Sequence, residues 1–297
     1  MVGIAIINYK TFQKTIECIN SIRNTMKEEY KIYLLENGSN NESVDILKSQ
    51  YFNAEDVDLI ISDTNHGYAR GNNLCITKMI EDGCNIAIIS NNDIICSNNA
   101  IDTLVQDLNN NAEYLLVGPK IVSPEGTFQN SVKGKKYTSV EYLKKSTYLA
   151  NFFAPEIKEE HRKNEMLHEL TEVFWVSGAF FACNLEKMNE IGLFDKNTFL
   201  FFEEYILAEK AFRKGYKLGY DPKAVVMHYH AVSTGGGLNI VSKKIADQSE
   251  KYYFNTYTKK SKIFMLTLKI VRSLEVLYTF GKRRDWDSIK YYFSKSK

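Results

Sequence analysis

The chain has 297 residues, 44% of them hydrophobic and 25% charged, with a net charge of +2. This excludes a disordered chain and gives nucleic acid no global electrostatic attraction. Only four prolines and 16 glycines are present, which excludes collagen-like and linker-dominated architectures.

The five cysteines (Cys18, Cys75, Cys84, Cys96 and Cys183) are odd in number and contain no CxxC pair. Neither a zinc site nor a disulfide framework fits, and a reducing compartment is expected. The opening MVGIAIINYK has no basic stretch before its apolar run, so it does not read as a signal peptide. No apolar run is long enough for a spanning helix, and cytoplasm is the expected location.

Residues 2–8 (VGIAIIN) are a short apolar run of the kind that forms a buried parallel strand. Phe12, Ile16, Ile19 and Ile22 recur at helical spacing behind it. Residues 31–35 predict a second strand, and the loop 36–40 leads into a helix over 43–50. A third strand is expected over 57–62, a helix over 69–81, and a fourth strand over 85–90 that ends in Asn91-Asn92-Asp93. A helix from about Asn98 to Asn109 and a strand over 114–117 follow. From 128 to 171 the pattern weakens into a polar, Lys- and Glu-rich segment with one helical stretch over 137–153, the kind of long connection that serves as a lid or binding loop. Order returns at 173–181, then a helix over 185–191, a helix over 201–214 opening with Glu203-Glu204, and a strand over 217–229 that runs into His228 and His230.

Strands alternating with helices predict an α/β fold with a parallel sheet and helices on its faces. Ligands in such folds bind beyond the carboxyl ends of the strands. Asn8-Tyr9, Glu36-Asn37, residues 63–71 and residues 91–93 are therefore expected to share one crevice.

The chain contains neither GxGxxG after its first strand nor GxxxxGK[ST], so phosphates in that crevice need another partner. A divalent cation, Mg²⁺ or Mn²⁺, is the natural one, and Asp93 is placed to bind it; capping the next helix is the other use of that residue. Glu203-Glu204 in a first helical turn reads as an ordinary complement to the helix dipole. For His228 and His230, metal ligation, phosphate contact and core hydrogen bonding are all open. Arg70 fits a phosphate fork or a solvated helix start, and Trp175 a sugar face or core packing.

Seven short stretches then stand in order: 6–9 (IINY), 35–39 (LENGS), 65–73 (NHGYARGNN), 89–93 (ISNND), 176–180 (VSGAF), 191–195 (IGLFD) and 202–204 (FEE), with His228 and Ser233 after them. In that order they resemble the motifs of the inverting glycosyltransferases of family 2, most closely the rhamnosyltransferase-like branch, over about residues 2–240. They match, in turn, the nucleotide-contact strand, the DNGS turn, N-x-G-[FY]-[AG]-x-G-N-N, a variant D-x-D metal motif, GA…GxFDexFFxxED and the closing H….S. The 65–73 nonapeptide is the most specific match. Glu36 and Glu204 stand where the family more often has Asp, and Ile206 where it often has a further Asp.

The resemblance implies a GT-A fold: a Rossmann-like, mostly parallel central sheet flanked by helices, with a C-terminal helical tail. It implies a catalytic domain over 1–240, with a nucleotide-binding half to about 120 and an acceptor half beyond, then a basic helical extension over 241–297. Glu204 becomes the general base, and Asp93 and His228 the ligands of Mn²⁺ or Mg²⁺. Asn8, Tyr9, Glu36, Asn37, Asn65, Gly67, Tyr68, Arg70, Asn72, Asn73, Asn91 and Asn92 become nucleotide-sugar contacts. Trp175, Gly178 and Glu203 line the acceptor or sugar pocket. The implied reaction moves a sugar from a nucleotide-diphospho-sugar (dTDP-rhamnose or a UDP-sugar) to a hydroxyl of a glycan or lipid-linked glycan in surface polysaccharide synthesis. The alternative is a catalytically weak sugar-nucleotide-binding or scaffolding subunit derived from such an enzyme.

Residues 259–297 carry 11 Lys and Arg against 3 Asp and Glu, a net of +8 on a body of −6. Within them, 263–280 is amphipathic, with Lys262, Lys269, Arg272 and Glu275 grouped on one side of a helical wheel. Peripheral contact with the inner face of a membrane, a homodimer interface and packing on the catalytic domain are the three readings.

Overall fold

The computed structural model describes residues 1–97, 99–129, 131–145, 156–229 and 239–294. Strands β1 (Val2–Asn8), β2 (Tyr30–Asn37), β3 (Val57–Ser62) and β4 (Ile86–Asn91) pair in parallel in the order β3-β2-β1-β4. The remaining strands are β5 (Ile94–Cys96), β6 (Tyr114–Val122), β7 (Phe128–Gln129), β8 (Val132–Lys133), β9 (Thr171–Val173), β10 (Trp175–Val176), β11 (Phe180–Asn184) and β12 (Lys217–His228). The sheet continues from β4 through β11, β6 and β12 to β5, with β11 and β5 antiparallel to their neighbours. β8 and β10 form a separate two-stranded ribbon.

Helices α1 (Phe12–Thr25), α2 (Ser43–Tyr51), α3 (Gly67–Glu81), α4 (Ala100–Asn110), α5 (Ser139–Lys145), α6 (Glu156–Glu165), α7 (Leu185–Glu190), α8 (Glu203–Arg213), α9 (Ile240–Thr256), α10 (Lys262–Lys282) and α11 (Trp286–Phe293) complete the chain. Side chains alternate along a strand, so β1 feeds two cores. Ile4 and Ile6 pack with α1, α2 and α4, while Ala5 joins α3, α7 and α8 on the other face. Both isoleucines are fully buried, and truncating either to Ala costs about 2–5 kcal/mol.

The fold matches the α/β expectation in most of its elements through Val122 and departs from it more after that. β6 runs on to Val122, and β5 was not anticipated. The weakly patterned segment contains β7, β8, α5 and α6. Of the helix expected over 137–153, Ser139–Lys145 is present, and residues 146–153 lie outside the described residues, as do Asn98, His230 and Ser233. Glu36 and Asn37 end β2 instead of opening a loop. The last helix before β12 starts at Glu203 and not at 201, because Phe201 and Phe202 adopt left-handed φ of 73° and 68°.

The tail corrects the helical-wheel reading. α10 turns Arg272 inward, where its guanidinium donates to both oxygens of Glu250 on α9, with Nε to Oε2 at 2.9 Å and Nη2 to Oε1 at 2.5 Å. Glu275 pairs inward with Lys243 at 3.1 Å. Phe264 and Leu268 join Ile206, Tyr253 and Phe254 in a third small core that ties α10 and α9 to α8. Among the described residues, no helix is long and apolar enough to cross a membrane. All five cysteines are free and buried.

Candidate active site

Asp93 sits where the chain leaves β4 and crosses to β5 at the far edge of the sheet. β12 pairs with β5 so that His228 stands opposite Ile94, and the amide of Tyr229 donates to the Asp93 carbonyl at 3.1 Å. This places His228 Nε2 3.1 Å from Asp93 Oδ1. The ring is oriented from behind. Gln129 Nε2 donates to the His228 carbonyl at 2.9 Å, which leaves Gln129 Oε1 to face His228 Nδ1 at 3.1 Å. Gln129 Oε1 can only accept, so it holds Nδ1 and turns Nε2 toward Asp93, the second-sphere arrangement that would orient a histidine ligating a cation between the two.

Two adjacent ligands on a small octahedral cation stand about 3 Å apart when the bonds are 2.0–2.1 Å, so this oxygen–nitrogen pair fits a Mg²⁺- or Mn²⁺-sized ion. Among the described residues no group of three or more His, Cys, Asp or Glu side chains converges as a metal site. The remaining ligands would come from phosphate oxygens and water, as is usual for Mg²⁺.

Around the ends of β1 and β2 the expected nucleotide contacts are largely occupied with one another. Glu36 is fully enclosed and accepts from Ser39 N and Ser39 Oγ at 2.7 Å each and from Asn8 Nδ2 at 2.5 Å. Its carboxylate shapes the 36–39 turn and is not open to a ligand. Asn8 is likewise buried, with Oδ1 accepting from Thr15. Asn92 donates to Thr11 Oγ1 at 2.7 Å and Thr15 Oγ1 at 2.9 Å, which anchors it to α1. Tyr9 and Asn91 are half-buried and accessible beside them.

The 65–73 nonapeptide proves to be a joint between the two halves. Asn37 Oδ1 accepts from His66 N at 2.9 Å, and Asn65 Oδ1 accepts from Gly67 N at 2.8 Å and Asn37 Nδ2 at 3.1 Å. Gly67 has φ +71°, and a Cβ there would meet the Phe199 carbonyl oxygen at 2.1 Å, so glycine is required on both counts. That carbonyl accepts from Tyr68 N at 2.9 Å. Asn73 bonds both backbone groups of Phe194, at 2.9 and 3.0 Å. Asn72 is buried and donates to the Tyr68 carbonyl. Arg70 is exposed and donates to the Lys196 carbonyl at 2.8 Å. Most of this motif therefore positions backbone.

It positions Tyr68 above all, whose hydroxyl donates to the Gly178 carbonyl at 2.7 Å. Gly178 N in turn donates to Glu204 Oε1 at 3.0 Å. A Cβ on Gly178 would lie 2.7 Å from Glu204 Oε1 and 2.9 Å from Tyr68 Oη. Asn91 N donates to the Ala179 carbonyl at 2.8 Å, so the turn that holds Glu204 is bonded to the strand that carries Asp93. Both carboxylates stand at the same end of the β4–β11 pair, in which Ser90 faces Phe180.

Burial raises the Glu204 carboxyl above its ordinary range, opposed by the Gly178 amide and by Lys133. Glu203, 3% exposed, is pushed further up by burial and then by the charge of Glu204. Its Oε1 and the Trp175 Nε1 have no hydrogen-bond partner among the described residues. Buried polar atoms left without a partner are unusual in a native fold.

Two residues were not anticipated, Lys133 and Gln129. Lys133 donates to Tyr205 Oη, with its ammonium 5.1 Å from the Trp175 ring centre and 4.7 Å from that of Tyr205. Burial pulls Lys133 down to about 8. Gln129 and Lys133 lie on two-residue strands, and their partners are 99 and 72 residues away in sequence. No local pattern signals pairings of that range.

With this geometry in hand, the family assignment is direct. The profile of glycosyl transferase family 2 matches residues 3–182, more than half of the chain, and the chain belongs to that family. Its structure is similar to the crystal structure of GalNAc-T7 with UDP, GalNAc and Mn²⁺, with a TM-score of 0.62 at 15% identity over 99% of this chain and 58% of that one. The chain thus spans less than two thirds of GalNAc-T7. It is also similar to the mannosyltransferase PcManGT from Pyrobaculum calidifontis in complex with GDP-Man and Mn²⁺, with a TM-score of 0.59 at 11% identity over 98% of this chain and 84% of that one. These likenesses establish the GT-A fold. No curated protein matches the chain.

Proposed function

We propose that the chain is a divalent-cation-dependent, inverting glycosyltransferase that passes one sugar from a nucleotide-diphospho-sugar to a hydroxyl of a glycan or lipid-linked glycan. The observation that carries this reading is the Glu204 carboxylate. It is clasped by the Gly178 amide at 3.0 Å, raised by burial, and stands at the same sheet end as Asp93 and His228. A carboxylate with a raised pKa is a better proton acceptor near neutrality. The catalytic domain is read as residues 1–240 and the extension as 241–297. The rhamnosyltransferase-like motif order favours a dTDP-rhamnose donor, with a UDP-sugar second, and surface polysaccharide synthesis as the setting.

Glu204 takes the proton of the acceptor hydroxyl as its oxygen bonds to the anomeric carbon and the carbon–phosphate-oxygen bond breaks on the opposite face. The Gly178 amide fixes the direction of the accepting oxygen. Glu203, whose pKa burial raises, and the Trp175 N–H would offer hydrogen bonds to sugar or acceptor hydroxyls. Tyr9 and Asn91 are the accessible contacts for the nucleotide, while Asn8, Glu36, Asn37, Asn65, Gly67, Asn72, Asn73 and Asn92 build the walls behind it. Asp93 and His228 would hold the cation, which when bound neutralises charge growing on the departing diphosphate.

Thermal shift with a panel of nucleotide sugars, with and without Mn²⁺, identifies the donor as the strongest cation-dependent stabiliser. NMR of the product then reads its anomeric configuration, and retention would rule out a single displacement. Glu204→Gln is expected to bind donor normally and lose transfer by about 10²- to 10⁴-fold. A wild-type protein that binds donor and transfers to no acceptor would instead be a scaffold.

A further inference from the structure

The outer face of α10 is apolar over its whole length. Ile263 is 79% exposed, Leu266 60%, Ile270 51%, Leu274 60% and Leu277 44%, at helical spacings of three, four, four and three. Half of the exposed large apolar side chains among the described residues fall between 263 and 293, so this is a patch and not scatter.

The helix has two apolar faces: Phe264, Leu268, Val276 and Phe280 are buried against the protein, as on an ordinary surface helix, and the second stripe is left outside. Arg272 and Glu275 also turn toward the protein and are satisfied there, by Glu250 and Lys243. Swapping the two faces would break a buried ion-pair network, so the apolar stripe is held outward by the fold. Lys262 and Lys269 stand exposed along one flank, and Lys282, Arg283 and Arg284 stand exposed at its end. Trp286 follows at 60% exposure.

We propose that α10 is a membrane-docking surface that lies in the plane of an anionic bilayer. The apolar stripe enters the acyl boundary, the lysines and arginines meet acidic headgroups, and Trp286 sits at headgroup depth. Charge decides against a second copy of this chain as the occupant. Two copies of a segment with net +8 would repel face to face, whereas an anionic lipid surface is complementary. The helix lies on the bilayer and does not span it, in keeping with the absence of a spanning helix among the described residues. The inference does not depend on the transferase reading, because binding is measured without turnover.

The test is flotation of the full chain with vesicles of 30% phosphatidylglycerol in phosphatidylcholine and with pure phosphatidylcholine. Binding is expected to the anionic vesicles, to fall by about tenfold or more between 0.1 and 0.5 M NaCl, and to be lost in the double variant Leu266→Glu/Leu274→Glu. Both positions are exposed, so circular dichroism and the melting temperature should not move. Trp286 emission should shift to the blue on binding, a shift absent from Trp286→Phe. Equal binding by wild type and double variant, or none to anionic vesicles, overturns the proposal. So does sedimentation velocity showing, without lipid, a dimer that the double variant abolishes.

Discussion

Asp93 and Glu204 stand at the same end of the sheet, yet the chain holds them by different means. Asp93 is placed by strands: β4 delivers it, β5 and β12 clamp its backbone, and a histidine faces it with a glutamine behind. Glu204 is placed by turns, through the bare Cα of Gly178, a phenol from α3 and a helix start with two left-handed phenylalanines. A carboxylate fixed by a sheet is insensitive to small side-chain changes nearby. One fixed by close-packed turns is not, because backbone in sparsely populated conformations persists only where its surroundings over-determine it. The two centres should therefore fail differently.

The largest effect after that of Glu204→Gln is expected from Gly178→Ala. The added methyl lies 2.7 Å from Glu204 Oε1, and displacing a reacting group by about 1 Å costs on the order of 10²-fold in turnover. Donor affinity should be untouched, so kcat falls while donor KM stays, which steady-state kinetics reads. On the other side, Gln129→Leu should leave turnover at saturating Mn²⁺ nearly intact and weaken apparent Mn²⁺ affinity by about 10- to 100-fold. If Gly178→Ala instead shifts the Mn²⁺ titration, the two centres are not separable.

The pH profile sharpens the contrast. As the proposed base Glu204 would work as the carboxylate, and its pKa is raised by burial, so activity should rise with pH through a value above the ordinary 4.5. On the alkaline side, Lys133 loses its proton at about 8, which removes a positive charge that favours ionised Glu204. Lys133→Met removes that charge at every pH, so its acid limb should lie at higher pH than that of the wild type, which the pH profile of kcat reads.

The smallest effect belongs to stability. Glu203 binds its proton more tightly folded than unfolded. Between 4.5 and its folded value the native state therefore holds more protons, and stability declines as pH rises. Glu203→Gln removes that decline. Its melting temperature relative to wild type should climb from acid to neutral pH, and a difference independent of pH would contradict the assignment.

The sequence made the first half of the fold readable because buried parallel strands are apolar throughout, as in VGIAIIN. β5 and β7 to β10 were not readable, since strands of two or three residues carry no periodicity. Phe201 and Phe202 misled the helix boundary, because nothing in a phenylalanine announces a positive φ. At the site, Asp93 was legible from its place after an apolar strand, and Glu204 only through the resemblance. Glu36 was taken as a ligand contact, whereas its oxygens are spent on Asn8 and Ser39. In α10 the period was legible, and which residues face inward was left open. Which stripe faces inward depends on Glu250 and Lys243, carboxylate and amine partners on a helix that the pattern had not revealed.

Phe202, whose backbone opens α8, rests its ring 5.1 Å from Tyr205 and 5.7 Å from Tyr253 of α9. The C-terminal helices are thus a wall behind the helix that carries the proposed base, as well as an outer surface. Shortening the chain at residue 240 to obtain a minimal enzyme would take away the buttress behind the base. The expected product is a folded sheet that still takes up nucleotide but turns over slowly, and comparing donor binding with turnover in that truncation measures how much the buttress contributes.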